Sequence, residues 1–584
     1  MRELLHERLE IGLRGAAAAM LVGALAVACS NGGEVKPHDV LSGTWNYMPG
    51  VQVEDGELHV RNTDLSILEL EESGRPSENP IYTADSPVNL YGTHLKVADE
   101  NKVGLSAEVK ELDGSATLSF LQAPQTRYDE RLERPAGLSV QVDKDSAKVM
   151  IWDGASNKPS ETESMKVDIG NKAQIAIDQR KDGTTVSVNR QKVTLDKQLL
   201  HAETWIGLDA TKTWDLSKLQ AYGAKAVDVS KNRYERSDDG LYGVMKKSGN
   251  DNKYIGTAVD MTVLAANPEY ERFVATNFNE IEPEMAGKFQ ALQPKEGQFE
   301  FGELDAIVEW AETNEKQVHG HTLAFTEAYP KWLSEKLQDP NTSADETLQL
   351  LRNHIKTVVG RYDGRHGHGT INAWDVVNEP FDPKDWSRLN AQNIWYQKLG
   401  PAYIGEALKA AHEANPNAKL YINEWSLETD ADRRDAMVRL VKDLQSQGVP
   451  LDGIGFQSHF DAKTLADDEV MNPIFDGNLK DYLQQFTDLG LDVRISEASV
   501  AEAGNPTTQS DTYEALAESC MRVERCVGVN IWGASNSSYK NRYPYFTGSG
   551  REQDSGDDAP TIQKQDGEII LRPAYGGLKS GLSY

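Results

Sequence analysis

The chain has 584 residues, of which 39% are hydrophobic and 26% are charged, as in ordinary globular proteins. This length exceeds that of one compact domain, so we expect two domains and a short leader. The formal net charge of -30 argues against a nucleic acid or an anionic membrane surface as a partner, because phosphate binding needs clustered Lys and Arg. A neutral, polar substrate would be unaffected by that charge.

Residues 1 to 29 have the pattern of a targeting segment. Three Arg residues precede the uncharged run GAAAAMLVGALAVAC, which is too short to span a bilayer as a mature helix. The ending AVAC resembles the lipobox of bacterial lipoproteins, which implies lipidation of Cys29 and a membrane contact only through a lipid anchor. Ala26 stands where that motif usually has Leu, and ordinary secretory cleavage is the alternative. We therefore expect an exported protein, anchored to the bacterial cell surface or outer membrane or else secreted, with residues 30 to 39 as a linker.

Residues 40 to 225 contain short alternating polar and apolar runs that end at turn residues. The run AQIAIDQRKDGTTVSV, in which Asp182-Gly183 separates two alternating stretches, predicts a β-hairpin. Repeated hairpins without helical periodicity favour an all-β sandwich. The pattern resembles the concanavalin-like jelly rolls that accompany secreted carbohydrate-active enzymes, although no residue motif carries the resemblance.

Tryptophans of this β-rich region raise the question of a carbohydrate-binding face. Aromatic rings can stack on sugar rings, but core packing is the more frequent role of such side chains. The four residues concerned are Trp45, Trp152, Trp205 and Trp214. A polar, turn-rich segment follows over residues 226 to 252 and predicts the linker between two domains.

Residues 253 to 584 alternate apolar strand-like runs with helical stretches. The eight strand candidates are YIGTAV, FVATNFNEI, QVHGHTLAF, INAWDVV, KLYINEW, GIGFQSHF, LDVRISEA and CVGVNIWG. Eight alternating β and α units over roughly 330 residues predict a (β/α)8 TIM barrel. In that fold the functional residues gather at the C-terminal ends of the strands.

Two glutamates stand at matching strand ends. Glu379 follows the fourth predicted strand, and Glu497 lies at the end of the seventh. Hydrolysis of a glycosidic bond needs two carboxyl groups, because one protonates the leaving oxygen while the other stabilises or attacks the anomeric carbon. Burial and the charge of Glu497 would raise the pKa of Glu379, whereas donors such as Gln457 and His459 would keep Glu497 ionised.

The motifs at these strand ends resemble glycoside hydrolase family 10, the retaining endo-β-1,4-xylanases, across nearly all of residues 253 to 580. The matching stretches are FNEIEPEMAGKF, HGHTL, WDVVNE, DGIGFQSH, RISEAS and CVGVNIWG. The resemblance implies that Glu379 is the acid/base and Glu497 the nucleophile, with no metal and no organic cofactor. It also implies a set of sugar-binding residues, namely Glu284, Lys288, His321, Asn378, Gln457, His459 and Trp532.

Two of the three cysteines, Cys520 and Cys526, lie six positions apart. In an exported chain this spacing is compatible with a small-loop disulfide, and a pair of buried free thiols is the alternative. The resemblance favours the disulfide, because many family members carry one at the corresponding place.

Three positions depart from the family pattern. Met285 stands where an Asn is usual, and Phe325 replaces a Trp. Ser499 replaces an Asp that normally orients the histidine corresponding to His459, which leaves the tautomer and charge of that imidazole open. These departures predict retained catalysis with altered substrate selection.

Three hypotheses follow for function. The first is a retaining endo-1,4-β-xylanase acting on a neutral polysaccharide, and we expect it to be a monomer. The second is a hydrolase of another β-glycoside, as in tomatinase-like members of the family that act on plant glycoalkaloids. The third is a non-catalytic surface glycan-binding protein, against which the presence of both Glu379 and Glu497 argues, because binding alone needs no acid/nucleophile pair.

Overall fold

The computed structural model of the chain contains two compact units. It describes residues 38–40, 51–54, 57–61, 90–122, 135–155, 158–266, 268–465, 474, 477–502, 504–534, 561–565 and 568–584. One unit comprises the described residues up to 228, and the other comprises those from 229 onward. The predicted leader with Cys29, most of the predicted linker over residues 30 to 39, and Trp45 lie outside the described residues. Within the described part of the chain, no helix has the length and apolar character needed to cross a membrane.

The first unit consists of two antiparallel sheets. One sheet has the spatial order Gln191–Leu195, Gly183–Val188, Lys172–Arg180, Lys102–Asp113, Thr213–Tyr222, Glu57–Arg61 and Val51–Glu54, and His38–Asp39 pairs with Thr213–Tyr222. The other has the order Ala224–Val227, Leu90–Val97, Glu203–Ala210, Ala116–Leu121, Gly137–Val142, Ser146–Trp152 and Glu161–Lys166. The predicted all-β character of this region is therefore confirmed, whereas its likeness to a jelly roll stays a prediction.

Alternating side chains of both sheets form one buried cluster. The predicted hairpin is present, because Ile175 pairs with Val188 and Ile177 with Val186, and all four side chains are buried in the cluster. The described tryptophans of this unit are also buried, with exposed fractions of 6% for Trp152, 3% for Trp205 and 0% for Trp214. Trp214 belongs to the buried cluster itself.

The second unit contains eight parallel strands that close into a barrel, as the alternating pattern predicts. In chain order the strands are Tyr254–Val259, Glu280–Pro283, Gln317–Ala324, Ala373–Asn378, Lys419–Glu424, Gly453–Phe456, Asp492–Ala501 and Cys526–Ile531. Closure results because the eighth strand pairs with the first and the seventh pairs with the sixth. A short extra strand, His459–Asp461, also runs parallel to the seventh.

The second unit also contains helices, one before the first barrel strand and the others after it. Their bounds are Leu241–Lys247, Met261–Ala266, Pro268–Asn277, Phe289–Leu292, Gly302–Thr313, Lys331–Gln338, Ala344–Arg361, Tyr396–Leu399, Ala402–Ala414, Ala431–Ser446, Ala462–Leu465, Asn478–Thr487, Pro506–Met521 and Pro573–Gly581. A 3-10 turn covers Val229–Lys231, and a two-stranded ribbon pairs Ile562–Gln565 with Glu568–Leu571. The first of these helices lies inside the segment 226 to 252 that its composition predicts as a linker.

The second predicted strand, FVATNFNEI, is partly wrong. Its first five residues end the helix Pro268–Asn277, and the strand is confined to Glu280–Pro283. The helix starts at a proline, carries two acidic residues in its first turn, and buries Tyr270 together with Phe273, Val274 and Asn277. This spacing of three and four residues is helical, and it outweighs the β-propensity of the short apolar run.

Buried lysines tie loops together at the N-terminal end of the barrel. Nζ of Lys253 donates to the carbonyl oxygens of Val523 and Cys526, both at 2.7 Å. Nζ of Lys316 donates to the carbonyl oxygens of Ala275 at 2.7 Å and Phe278 at 2.6 Å. Burial lowers the pKa of Lys253 to about 8 and that of Lys316 to about 7. Each amine therefore donates to two buried carbonyl groups in another part of the chain and holds the two parts together.

The loop held by Lys253 is also closed by a disulfide between Cys520 and Cys526, so the alternative of two free thiols does not apply. The double replacement of Cys520→Ala with Cys526→Ala should lower the free energy of unfolding of the barrel by about 2 kcal/mol, since the cross-link restricts the unfolded chain. Urea unfolding of the full chain measures this loss, with Cys29→Ala as the matched control. An unchanged unfolding free energy in the double variant would contradict this expectation.

Candidate active site

The two predicted catalytic glutamates lie at the C-terminal mouth of the barrel. Asn378 ends the fourth strand and Glu379 follows it, while Glu497 belongs to the seventh strand. His321 lies in the third strand, and Gln457 follows the sixth. Parallel strands bring these C-terminal ends together, which explains how residues more than a hundred positions apart share one cleft.

A chain of side-chain amides connects the two carboxyl groups. Nδ2 of Asn423 donates to Oε1 of Glu497 at 2.5 Å and to Oδ1 of Asn378 at 2.9 Å. Nδ2 of Asn378 in turn donates to Oε1 of Glu379 at 3.3 Å. Oγ of Ser496 donates to Oδ1 of Asn423 at 2.6 Å, which fixes the orientation of the bridging amide.

Asn423 is absent from the residues predicted from the sequence. It lies in the fifth strand, in the run KLYINE, and is fully buried. Its position close to the end of a predicted barrel strand is the signal that points to it. The two residues that it bridges, Asn378 and Glu497, lie in other strands, so its role becomes evident only from the closed barrel.

Glu379 has the surroundings of a proton donor. Oε1 accepts hydrogen bonds from Nε2 of Gln457 at 3.0 Å and from Asn378, which leaves Oε2 to carry a proton. Burial raises the pKa of Glu379 to about 7, and the negative charges of Glu327 and Glu497 act in the same direction. At neutral pH a substantial fraction of the molecules therefore holds a protonated Glu379.

The backbone at Glu379 adopts a left-handed conformation with φ of 52°. Residues with a Cβ rarely occupy this region, and the conformation costs about 1 to 2 kcal/mol. The backbone N–H of Glu379 donates to the carbonyl oxygen of Asn423 at 2.9 Å, which ties the strained residue to the neighbouring strand. Ser426 and Ser458, which lie in the segments after the fifth and sixth strands, have similar φ values of 57° and 58°.

Glu497 has the surroundings of an ionised group. It is 5% exposed, and its oxygens accept from Nδ2 of Asn423 and from Nε2 of His459, the latter at 3.2 Å. Burial alone would raise the pKa of Glu497, but the hydrogen bond from His459 and the charges of His321 and His459 outweigh it and lower the pKa. The site thus holds one carboxyl group with a raised pKa and one with a lowered pKa.

Beneath Glu497, the barrel interior contains a buried ionic network. Oδ1 and Oδ2 of Asp375 lie 2.9 Å from ring nitrogens of His319 and His321, respectively. Nη2 of Arg494 donates to Glu280 at 2.8 Å and to Glu282 at 3.1 Å. None of these acids or Arg494 is among the predicted site residues, although Asp375 stands inside the motif WDVVNE.

Two groups of these side chains have ligand atoms within 4.8 Å of one another: Glu282, His321 and Glu497, and Glu282, His319 and Asp375. Both groups have a donor set that suits a divalent cation. Arg494 already supplies positive charge to Glu282, and Asp375 is already held by both histidines. Arg494 contacts Oε2 of Glu282, whereas Oε1 of Glu282 has no hydrogen-bond partner among the described residues and lies 3.5 Å from Nδ1 of His321. The oxygens of Asp375 already have partners, which a metal would have to displace.

The predicted sugar-binding side chains surround the same mouth. The Trp532 ring packs edge-on against His321, with centroids 5.3 Å apart. Nζ of Lys288 lies 5.9 Å from the centroid of the Trp532 ring and 6.0 Å from that of Phe325. Glu284 is fully buried. Met285 is also buried, with an exposed fraction of 7%.

A second buried ion pair, which sequence reasoning did not identify, supports the segments after the fourth and fifth strands. Nη1 of Arg433 donates to Oε1 of Glu424 at 3.1 Å, and the guanidinium carbon lies 3.8 Å from the centroid of the Trp425 ring. The Trp386 ring meets Trp425 edge-on at 5.6 Å. Glu424 Oε2 accepts from the backbone N–H of Phe381 at 3.2 Å, so the pair fixes the backbone just beyond Glu379.

Fold and site together define a glycoside hydrolase built on a (β/α)8 barrel. The model of the family "Glycosyl hydrolase family 10" matches residues 243–548. An endo-1,4-beta-xylanase of Agaricus bisporus is 32% identical over 337 residues, which cover 57% of this chain and 91% of that protein. Endo-1,4-beta-xylanase B of Humicola insolens is 34% identical over 302 residues, 51% of this chain and 78% of that protein.

Comparison with solved structures also finds xylanases. The crystal structure of xylanase 10B from Thermotoga petrophila in complex with xylobiose superposes with a TM-score of 0.50 at 27% identity. The match covers 59% of this chain and 97% of the Thermotoga chain. The chain belongs to glycosyl hydrolase family 10.

The charge of Glu327 helps to keep Glu379 protonated, so its removal should shift the pH dependence of catalysis. In Glu327→Gln the pKa of Glu379 should fall, and the alkaline limb of kcat/KM should move to lower pH by less than about one unit, because Glu327 is exposed. A pH profile of kcat/KM measures the shift. The control is Glu335→Gln, an exposed glutamate on the helix Lys331–Gln338. A shift toward higher pH would contradict the assignment.

Proposed function

We propose that the chain is a retaining endo-1,4-β-xylanase that hydrolyses xylan by double displacement. The observation that carries this proposal is the unequal pair of carboxyl groups, Glu379 with a raised pKa and Glu497 with a lowered one. The two are connected through Asn378 and Asn423 in one cleft. The names of the relatives support xylan as the substrate, and the xylobiose complex of the Thermotoga enzyme supports a β-linked xylose chain.

In the first step, Glu497 attacks the anomeric carbon while Glu379 protonates the oxygen of the leaving sugar. The glycosidic C–O bond breaks, a bond between the anomeric carbon and a Glu497 oxygen forms, and Glu379 becomes ionised. Asn423 and His459 hold Glu497 in position for the attack. The lowered pKa of Glu497 keeps its attacking oxygen free of a proton.

In the second step, the ionised Glu379 accepts a proton from water as the water attacks the anomeric carbon. The bond to Glu497 breaks, and the product leaves with its original anomeric configuration. Loss of the glycosyl group restores the charge on Glu497, which again adds to burial and to the charge of Glu327 in raising the pKa of Glu379. The change of charge on Glu497 during the cycle thus assists Glu379 in serving first as acid and then as base.

Side chains around the pair orient the sugar at the cleavage point. Asp375 occupies Nδ1 of His321, which leaves Nε2 for a sugar hydroxyl. Lys288 and Trp532 supply a cation and an aromatic face beside this imidazole. Contacts from Asn378 and Gln457 would strengthen as positive charge develops at the anomeric centre, which accelerates the reaction.

The replacement Glu497→Ala should lower the turnover of soluble xylan by at least about a thousandfold, because no other group replaces the nucleophile. Binding of xylo-oligosaccharides should persist. Product analysis and calorimetric binding on the purified full chain measure both quantities, with Glu413→Ala on an outer helix as the control. Undiminished turnover in Glu497→Ala would contradict the mechanism.

Glu379 should be distinguishable from Glu497 by its dependence on the leaving group. Glu379→Ala should lose nearly all activity on xylan, whose sugar leaving group needs protonation. The same variant should still form the glycosyl-enzyme from an aryl β-xylobioside whose leaving group is an acidic phenol. Such a phenol leaves as an anion and needs no proton from Glu379. Rapid phenol release followed by a slow steady state is the expected signature. Equal losses on both substrates would contradict the role of Glu379 as acid.

A different β-glycoside is the second candidate substrate. Met285 and Phe325 lie beside Glu284 and Lys288, where apolar side chains replace the polar and larger aromatic groups that the family pattern predicts. Activity measurements on a panel of β-linked glycans and plant glycosides distinguish xylan from another β-glycoside as the substrate. Hydrolysis of one of these compounds without hydrolysis of xylan would favour a change of substrate. Binding without any hydrolysis would favour a glycan-binding protein.

The proposed setting of the enzyme is outside the cytoplasm. A disulfide in the barrel supports export, because such bonds form and persist in oxidising compartments. The proposed anchor at Cys29, the linker over residues 226 to 252 and a sugar-binding role for the β-rich unit remain proposals from sequence pattern. Release of the protein by lipase treatment of bacterial membranes would test the anchor.

A further inference from the structure

A hydroxyl group contacts the inner ring nitrogen of His459. Nδ1 of His459 lies 2.6 Å from Oγ of Ser499, and Nε2 lies 3.2 Å from Oε2 of Glu497. Strand pairing places the two residues opposite each other, since His459 is in register with Ser499. The backbone N–H of Ser499 also donates to the carbonyl oxygen of Ser458 at 3.1 Å. The imidazole therefore lies between a fixed hydroxyl and the proposed nucleophile.

The chemistry of the two contacts restricts the position of the ring hydrogen. Ionised Glu497 can only accept, so its contact requires a hydrogen on Nε2. In a neutral imidazole one nitrogen carries the hydrogen and the other accepts. With the hydrogen on Nε2, Nδ1 must accept, and the Ser499 hydroxyl can donate to it.

A hydroxyl group also suits the protonated ring. When both nitrogens of His459 carry hydrogens, Oγ of Ser499 can rotate and accept from Nδ1 while Nε2 still donates to Glu497. A carboxylate at position 499 could only accept, so it would hold the hydrogen of a neutral ring on Nδ1. The contact with Glu497 would then depend on a charged imidazole.

We propose that Ser499 is a positioning residue that keeps the Nε2 hydrogen of His459 directed at Glu497 in both the neutral and the protonated form of the ring. This inference rests on the proposed function, because the contact matters to catalysis only if Glu497 is the nucleophile. Glu497 then keeps its donor when the imidazole loses its charge. The nucleophile therefore has the same hydrogen-bond donor with either form of the ring.

Acidic groups face the ring from three strand ends. They are Glu497 in the seventh strand, Glu379 after the fourth, and Glu428 after the fifth, which accepts from Oγ of Ser458 at 2.6 Å. The charge of His321 also acts on the Glu497 carboxylate. Ser499 adds no charge to this set, whereas an aspartate there would add a fourth acid beside the imidazole.

The test compares the full chain with Ser499→Ala, Ser499→Thr and Ser499→Asp. Nitrogen NMR of the protein labelled at its histidine rings identifies which nitrogen of His459 carries the hydrogen, with His459→Asn to assign the signal. Recording from about pH 5 to about pH 9 covers both forms of the ring. The neutral ring of the natural protein and of Ser499→Thr should carry its hydrogen on Nε2. Ser499→Asp should move it to Nδ1 or keep the ring charged over this range.

Kinetics on soluble xylan give the functional readout. Ser499→Ala should lower kcat about tenfold with little change in KM, because the partly buried hydrogen bond to Nδ1 of His459 is lost. Ser499→Thr keeps a hydroxyl at this position and should keep the kcat of the natural protein. Ser499→Asp should lose activity at high pH more steeply than the natural protein. The exposed control Ser446→Ala should change neither quantity.

The possible results test the role of Ser499 separately from the proposed xylanase function. A neutral ring with its hydrogen on Nδ1 in the natural protein would overturn the role of Ser499, whatever the activity on xylan. The same conclusion would follow if Ser499→Asp kept both the tautomer and the pH profile of the natural protein. Absence of xylan hydrolysis by the natural protein would count against the proposed function, while the NMR result would still decide the position of the hydrogen.

Discussion

The site depends on a difference in charge between two carboxyl groups that share one cleft. Glu379 and Glu497 are connected by only two amide side chains, and each negative charge disfavours the other. Donors from Asn423 and His459 stabilise the charge on Glu497, whereas burial and neighbouring acids favour the proton on Glu379. The proposed roles of the two residues follow from this difference, since attack would need an ionised Glu497 and protonation of the leaving sugar would need a protonated Glu379.

Buried ion pairs deeper in the barrel hold the strands that carry this pair. Arg494 lies three residues before Glu497 and binds Glu280 and Glu282 of the second strand. Arg433 binds Glu424, which accepts from the backbone just after Glu379. Removal of one partner would leave an uncompensated buried charge, so these pairs tolerate substitution poorly. The position of each of the two proposed catalytic carboxyl groups therefore depends on a charge pair in the adjoining strands.

Local pattern was sufficient to predict much of the molecule. The hairpin around Asp182-Gly183 and the eight-stranded barrel follow from periodicity and turn residues, and the two glutamates follow from strand ends and motif resemblance. The sequence pattern wrongly predicts a strand for the last five residues of the helix Pro268–Asn277, because the apolar residues there are few and adjoin a true strand. The bridge through Asn423 and the pairing of Arg494 with Glu282 were not predictable, because their partners lie up to 212 positions away and meet only in the closed barrel.

The most direct test of double displacement is to trap the covalent intermediate. A 2-fluoro-β-xylobioside with an acidic leaving group slows both steps but hydrolysis of the glycosyl-enzyme most, so the intermediate accumulates. Mass spectrometry of the digested protein should find one fluoroglycosyl group on the peptide that contains Glu497, and none on the Glu497→Ala variant. An adduct on another residue, or hydrolysis of xylan with inverted configuration, would contradict the assignment of Glu497 as nucleophile.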